Sequence, residues 1–217
     1  MHKKNNKQYY FSTEGETEQW YLEHLAKLIN NNSQSCNTVS FKIKKAQPIS
    51  FVKQLSVISP ATIFHLFDFE AYEQSDIKHF EKVIDDMKKS ESIGKKINYK
   101  NGYTNLTFEL WLILHKMDCN HSISDRKDYL PLINKAFNVN YQGLKEYKEE
   151  NHFKNILAKI TINDVKAAVN RADKIMHNNQ INYKEKTKYK YSWYDENPAT
   201  EVGTIIKEIL INCGLFP

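Results

Sequence analysis

The chain has 217 residues, a formal net charge of +5 and 41% hydrophobic residues. This length can bury a substantial core, and no apolar run approaches the ~20 residues that a membrane-spanning helix needs. The three cysteines form no CxxC pair, which gives no basis for a zinc framework. The N-terminus lacks the apolar stretch of a signal peptide, so we expect a soluble cytoplasmic protein. The mildly basic charge is compatible with a nucleic-acid partner without requiring one.

Hydrophobic patterns in the first half predict four strands that alternate with helices. Strands are expected at residues 8–13, 39–44, 61–67 and 96–99, and helices at residues 16–29, 48–57 and 76–90. The run at 61–67 is almost continuously apolar, as a buried central strand should be. Such βα alternation is typical of a parallel sheet with helices on both faces.

The second half changes to a helical pattern. Helices are expected at residues 108–117, 129–137, 153–160, 163–177 and 201–212, and the Lys- and Tyr-rich segment 183–193 is predicted to be a loop. We therefore predict an α/β domain over residues 1–120, with a mainly parallel sheet flanked by helices. Residues 121–217 are predicted to be a helical elaboration packed on it, and whether the two share one core stays open.

Acidic residues follow two of the predicted strands. Glu14-Gly15 comes directly after the first strand, and Asp68-Phe69-Glu70 comes after the third. In open α/β sheets, ligands bind outside the carboxyl ends of the strands, and Mg²⁺ prefers carboxylates together with substrate phosphate. Residues two apart in an extended chain point to the same side, so Asp68 and Glu70 can face one ion. These patterns predict a site for Mg²⁺ or Mn²⁺ and phosphodiester chemistry.

Both acidic motifs also have a purely structural interpretation. Thr13 and Glu16 have the spacing of a helix capping box, and Gly15 can serve a tight turn. Asp68 and Glu70 can equally be solvated carboxylates in a loop at a strand end. The capping and metal readings are compatible, with Glu16 and Glu18 serving the helix while Glu14 faces the ion.

Three polar residues stand in or beside the otherwise apolar helix at 108–117. Asn105 is favoured as its N-cap. Glu109 has apolar neighbours, so a carboxylate there needs a partner, a metal or a site to serve. His115 is expected on the packed face, bonded to a carbonyl, in preference to a role as catalytic base.

Lysines in the second half are candidates for phosphate contacts. Lys186 and Lys188 alternate with aromatic residues, a composition that can neutralise phosphates and stack bases. A solvated flexible loop explains the same composition equally well. Lys145 and Lys148 are further candidates, although any surface helix carries such lysines.

Four motifs, taken together and in order, resemble the RloB family. They are TEGETE at residues 13–18, FDFE at 67–70, TNLTFELWLILH at 104–115 and ENPAT at 196–200. The first two also resemble the Toprim metal site of topoisomerases, primases and several nucleases. The chain departs from the family at Glu70, where the second acid is often Asp, and at Leu106 and Ala199.

The resemblance implies a Toprim-like fold with a bound Mg²⁺ or Mn²⁺. It places Asp68 and Glu70 as metal ligands, Glu14 as a ligand or general acid/base, and Glu109 as a fourth carboxylate. It also implies a bacterial protein of restriction-linked or AbiL-type abortive-infection loci, usually encoded beside a partner ATPase. The expected activity is metal-dependent cleavage of DNA or RNA, with tRNA as one candidate. The alternative is a metal-binding subunit that works only with the ATPase.

Overall fold

A four-stranded parallel sheet forms the centre of the molecule. The computed structural model describes residues 4–56, 60–70 and 73–217. The strands are β1 (Asn5–Thr13), β2 (Asn37–Lys45), β3 (Ala61–Phe69) and β4 (Ile97–Asn105), arranged in the order β2-β1-β3-β4 with every neighbouring pair parallel. Together with the flanking helices, this sheet confirms the predicted α/β class.

Alternating side chains of β3 divide the core between the two faces of the sheet. The first three helices are α1 (Glu16–Asn30), α2 (Pro48–Gln54) and α3 (Gln74–Ser90). Phe64 and Leu66 belong to the buried cluster that includes α1, whereas Phe67 and Phe69 belong to the cluster that includes α2 and α3. The Phe67 and Phe80 rings stack at 5.1 Å. The predicted end of α2 at Val57 lies outside the described residues.

The order of the strands creates a crevice between β1 and β3. The chain leaves β1 through α1 and returns on one side as β2, and then crosses to the other side as β3. Connections that diverge in this way leave an opening at the carboxyl ends of the two strands, where ligands of open α/β sheets bind. Glu14 and Asp68 both lie at this end of the sheet.

Helices dominate the second half and share a core with the first. They are α4 (Glu109–Leu114), a 3-10 helix (Arg126–Asp128), α5 (Tyr129–Phe137), α6 (Leu144–Tyr147), α7 (Glu150–Leu157), α8 (Ile162–Asn182) and α9 (Val202–Asn212). One buried cluster contains Phe11 and Trp111 as well as Ile156, Val169 and Ile209. Among the residues that the structure describes, no helix has the length and apolarity to cross a membrane.

The predicted loop at 183–193 is wrong over most of its length. Lys186–Lys188 (β5) and Tyr191–Trp193 (β6) pair as an antiparallel hairpin, with Tyr189 at the turn in the left-handed region at φ 59°. Tyr191 and Trp193 alternate into the same buried cluster as α3. The alternation of buried and exposed residues that marks a strand is not obvious in the sequence, because lysines stand between the aromatic residues.

β4 runs six residues beyond its predicted end, because its polar sequence is buried by its neighbours. At Gly102, a Cβ atom would come within 2.6 Å of both Leu66 and Ile205. The strand can therefore lie against β3 and α9 only where this side chain is absent.

Asn105 does not cap α4, contrary to the prediction, since it is the last residue of β4. The two N–H groups of its side-chain amide are shared among three consecutive carbonyls, those of Tyr194 (3.2 Å), Asp195 (3.1 Å) and Glu196 (2.7 Å). Its own backbone N–H donates to the Ala199 carbonyl at 2.9 Å. Asn105 thus fastens the segment before α9 to the end of the sheet.

Candidate functional site

The acidic elbow after β1 lies directly beside the end of β3. The Glu14 N–H donates to the Leu66 carbonyl at 3.0 Å, which extends the ladder between the two strands. The Glu14 side chain then accepts a hydrogen bond from the Asp68 N–H at 3.3 Å. Glu14 and Asp68, 54 residues apart in the chain, are therefore brought together as predicted.

The predicted capping box at the start of α1 is wrong. Gly15 is the N-cap and makes no side-chain cap, while the Thr13 hydroxyl donates to the Gly15 carbonyl at 2.9 Å. Glu16 points outward and lies 3.8 Å from the Lys45 ammonium. A Cβ at Gly15 would collide with the Glu18 carboxylate. The glycine therefore gives Glu18 room at the elbow.

Glu18 belongs to the site, although the sequence reading assigned it to the helix alone. Only 4% of the residue is exposed, and its carboxylate accepts a hydrogen bond from the Thr17 hydroxyl at 2.8 Å. Helical spacing could have revealed this position. Glu18 precedes Leu22 and Leu25 on the face of α1 that enters the core.

Glu109 has the partner that its apolar surroundings require. It is 2% exposed, and its Oε1 atom lies 2.8 Å from the Lys148 ammonium. Its other oxygen accepts a hydrogen bond from the Thr107 hydroxyl. Lys148 follows α6, so the second half of the chain supplies a cation to a carboxylate of the first half.

The electrostatics of the site centre on Asp68. Burial raises the pKa of its carboxyl well above the usual range, and the charges of Glu18, Glu109 and Glu14 raise it further. The positive charge of Lys148 offsets part of that rise. The pKa of the Glu18 carboxyl is also raised, chiefly by burial. These carboxylates crowd one another, and a cation placed among them would relieve the repulsion.

Glu70 turns to a cation from the second half of the chain. Its carboxylate accepts a hydrogen bond from the guanidinium of Arg126, in the 3-10 helix before α5. At the other side of the crevice, the imidazole of His79 lies 3.2 Å from the Glu14 carboxylate. Neither Arg126 nor His79 belongs to a sequence motif, so their place at the site depends on the tertiary fold.

These side chains surround a cavity of about 510 Å³. Its wall combines carboxylates with cations and two aromatic residues. The lining residues are Glu14, Gly15, Glu16, Thr17, Glu18, Trp20, Asp68, Glu70, Asp76, His79, Phe108, Arg126 and Lys148. The cavity thus occupies the crevice between β1 and β3 that the strand order creates.

The carboxylates are not arranged as a ready-made metal site. Across residues 4–56, 60–70 and 73–217, no group of three or more His, Cys, Asp or Glu side chains is placed to hold a metal ion. Three carboxylates of the site each have a nitrogen group beside them, since Glu14 faces the His79 imidazole, Glu70 pairs with Arg126 and Glu109 pairs with Lys148. The donor set is nevertheless all oxygen, which is the chemistry that Mg²⁺ and Mn²⁺ prefer.

The four lysines predicted to contact phosphate occupy different places. Lys148 lines the cavity, whereas Lys145 is exposed on α6. In the hairpin, Lys186 pairs with Asp195, and Lys188 lies 2.9 Å from Asp85 of α3. The hairpin lysines would have to leave these carboxylates in order to bind phosphate.

His115 is a packed core histidine, as predicted. It is 1% exposed, and its Nδ1 atom lies 2.9 Å from the Trp111 carbonyl. Its Nε2 atom lies 3.2 Å from the Tyr21 hydroxyl. Burial lowers the pKa of its imidazole to about 4.

The structure is therefore that of an α/β protein with an acidic cavity at the switch point of its parallel sheet. A family model described as RloB-like protein matches residues 9–209, nearly the whole chain. The chain belongs to the RloB-like family, and this membership suggests a restriction- or defence-associated protein. No curated protein and no solved structure matches the chain.

Proposed function

We propose that the protein is a Mg²⁺- or Mn²⁺-dependent nuclease of a bacterial antiphage system, built on a Toprim-like domain. The observation that carries this proposal is the meeting of Glu14 and Asp68 in one cavity beside two buried glutamates, Glu18 and Glu109. So many carboxylates in one crevice are costly unless they serve a cation. The same wall carries Arg126 and Lys148, which suit a phosphate.

The residues that line the cavity divide into proposed metal ligands and proposed contacts to the substrate. Asp68 and Glu14 would hold the ion, and Glu70 would become a further ligand if its pair with Arg126 opened. When bound, the ion neutralises charge on the phosphate oxygens and lowers the pKa of an attacking water or hydroxyl. Arg126 then clamps the phosphate with its planar guanidinium, and the Trp20 indole offers a surface on which a base stacks.

The two buried glutamates lie close enough to Asp68 for their charges to act on it. Glu18 and Glu109 both add negative charge at Asp68, so they increase the attraction of the cavity for a divalent cation. Glu109 is also fixed by the Thr107 hydroxyl. Their role is to position and charge the site, and either can complete the ligand set.

A cleavage assay tests the proposal. Purified protein is incubated with labelled tRNA, linear DNA and plasmid, in Mn²⁺, Mg²⁺ or EDTA. We expect cleavage that requires the metal and falls at least ~100-fold in both Asp68→Ala and Glu14→Ala. Glu150→Ala, an exposed carboxylate on α7, is the control and should cleave like the wild type. Cleavage that survives Asp68→Ala and Glu14→Ala would remove these residues from the mechanism.

A second candidate is a subunit that turns over only with a partner ATPase. The ion pairs at the cavity favour it, because Glu70 and Glu109 already have Arg126 and Lys148 as partners before a metal enters. Metal binding by the purified chain without cleavage of any substrate, followed by cleavage on addition of the neighbouring ATPase and ATP, would support this version. Turnover by the isolated chain would rule it out.

A further inference from the structure

Lys148 places a positive charge beside the two buried glutamates, Glu18 and Glu109. Its ammonium lies 2.8 Å from Glu109 and also lowers the pKa of the Asp68 and Glu18 carboxyls. The two partners of the ion pair differ in freedom, since the Glu109 side chain is 2% exposed and that of Lys148 is 31% exposed. Lys148 is therefore the partner that can leave, and the cavity is the space into which it can move.

We infer that Lys148 is a resident counter-ion that competes with the divalent metal and moves to the substrate phosphate when the metal binds. This inference rests on the proposed function. A metal entering beside Asp68 meets the positive charge of Lys148, which already acts on the Asp68 and Glu18 carboxyls, and two cations in one low-dielectric cluster repel each other. The repulsion drives Lys148 out of the ion pair and toward a phosphate in the cavity.

The position of Lys148 gives this exchange a structural logic. It comes from the second half of the chain, immediately after α6, while its acidic partners come from β3, α1 and α4. Breaking the ion pair therefore loosens a contact between the two halves beside the cavity. In the metal-free protein, Lys148 balances the charge of the buried carboxylates. In the metal-bound protein, the ion takes over this role and Lys148 is free to bind the substrate phosphate.

The test measures metal affinity directly. Mn²⁺ is titrated into the full chain while free Mn²⁺ is counted by electron paramagnetic resonance. Lys148→Gln removes the charge but keeps a hydrogen-bond donor for Glu109, so its fold should be preserved. Lys148→Arg keeps the charge. Lys145→Gln removes an exposed charge from α6, three residues before Lys148, and is the matched control for metal binding.

We expect Lys148→Gln to bind Mn²⁺ at least ~10-fold more tightly than the wild type, because the competing cation is gone. Lys148→Arg and Lys145→Gln should stay within ~2-fold of the wild type. Lys148→Gln should also cleave more slowly at saturating Mn²⁺, since the phosphate loses its partner. Tighter metal binding together with slower turnover separates this role from a merely structural one.

Two outcomes would overturn the inference in distinguishable ways. If the wild type binds Mn²⁺ and Lys148→Gln binds it equally or more weakly, Lys148 does not compete with the metal, and the proposed function is untouched. If none of the proteins, including Lys148→Gln, binds Mn²⁺, both the metal site and the exchange are wrong. Circular dichroism spectra confirm that each variant is folded.

Discussion

Asp68 stands where function and stability oppose each other. Its carboxyl pKa is raised above the usual 3.8, so the unfolded chain ionises at a lower pH than the folded chain does. Stability is therefore lost as the pH rises from about that value through the raised folded-state pKa. The free side chain is ionised at pH 7, and burial together with the charges of Glu18, Glu109 and Glu14 disfavours that ionised form in the folded protein. A residue kept at such a cost is typical of a functional site.

We predict that Asp68→Asn stabilises the metal-free protein. The free energy of unfolding at pH 7 in EDTA should rise by about 1 kcal/mol, because the substitution removes a carboxyl whose ionised form is disfavoured by folding. Urea denaturation followed by circular dichroism measures it. Asp118→Asn, at an exposed carboxylate outside the cavity, should change it by less than ~0.5 kcal/mol. A destabilised Asp68→Asn would show that the carboxylate makes net favourable contacts without metal.

His115 gives a pH-dependence of the opposite sign. Its folded-state pKa is about 4, against 6.5 for the free side chain, so between these values only the unfolded state takes up the proton. Stability should therefore fall as the pH drops from 6.5 to 4, by up to about 1.4 kcal/mol per pH unit for this histidine. His65, with a pKa of about 3, adds to the same trend.

The comparison of variants isolates the contribution of His115. We expect His115→Gln to lower the slope of unfolding free energy against pH between 6.5 and 4, because one titrating group is lost. Gln34→Ala, at an exposed residue that does not titrate, is the control and should keep the wild-type slope. Denaturation curves at several pH values measure both. Equal slopes in His115→Gln and wild type would mean that the imidazole takes up its proton over the same pH range in the folded and unfolded states.

At the scale of elements, the single side chain of Asn105 holds the carbonyls of residues 194–196 against the end of β4. Asn105→Ala removes the hydrogen bonds to three consecutive carbonyls and should lower the free energy of unfolding by roughly 2–3 kcal/mol. Asn101→Ala is the control, because Asn101 lies on the same strand and donates one bond, to Ser192. Urea denaturation and limited proteolysis around residues 194–200 provide the measurements. Equal loss in the two variants would contradict the role of Asn105 as a clamp.

The sequence predicted elements well where one physical rule dominated. Strand β3 forms where its continuous apolar run predicts it, because both of its faces are buried. Helices α1 and α3 form where their helical spacing predicts them, because each buries one apolar face. Rules that compete locally failed. Asn105 has the chemistry of an N-cap, but three carbonyls brought from residues 194–196 bind its amide instead.

The candidate site divides in the same way. Glu14 and Asp68 could be paired from the sequence, since the carboxyl ends of parallel strands meet at one edge of the sheet. Arg126 and His79 could not, because each reaches the cavity through a tertiary arrangement that no local pattern encodes. Glu18 lay between these cases, visible as an acidic residue on a buried helix face.

At the scale of the whole molecule, the sign of the net charge is opposite to that of most charged residues in the cavity. The chain carries +5, yet its candidate site is lined by several carboxylates. For the proposed nucleic-acid partner, exposed lysines would attract the phosphates, whereas the carboxylates of the cavity would repel them. A divalent cation in the cavity would reverse that repulsion. Binding of nucleic acid should therefore respond to divalent and monovalent cations in opposite ways.

We predict that Ca²⁺ strengthens the binding of tRNA or single-stranded DNA by at least ~10-fold relative to EDTA at equal ionic strength. Ca²⁺ takes oxygen ligands and so can occupy the carboxylate site. Added NaCl should weaken binding, because it screens the lysine contacts. Fluorescence anisotropy of a labelled oligonucleotide measures both effects. Asp68→Asn should lose most of the Ca²⁺ effect while keeping the NaCl effect. If Ca²⁺ instead weakens binding to the same extent in wild type and variant, nucleic acid binds the basic surface and never enters the acidic cavity.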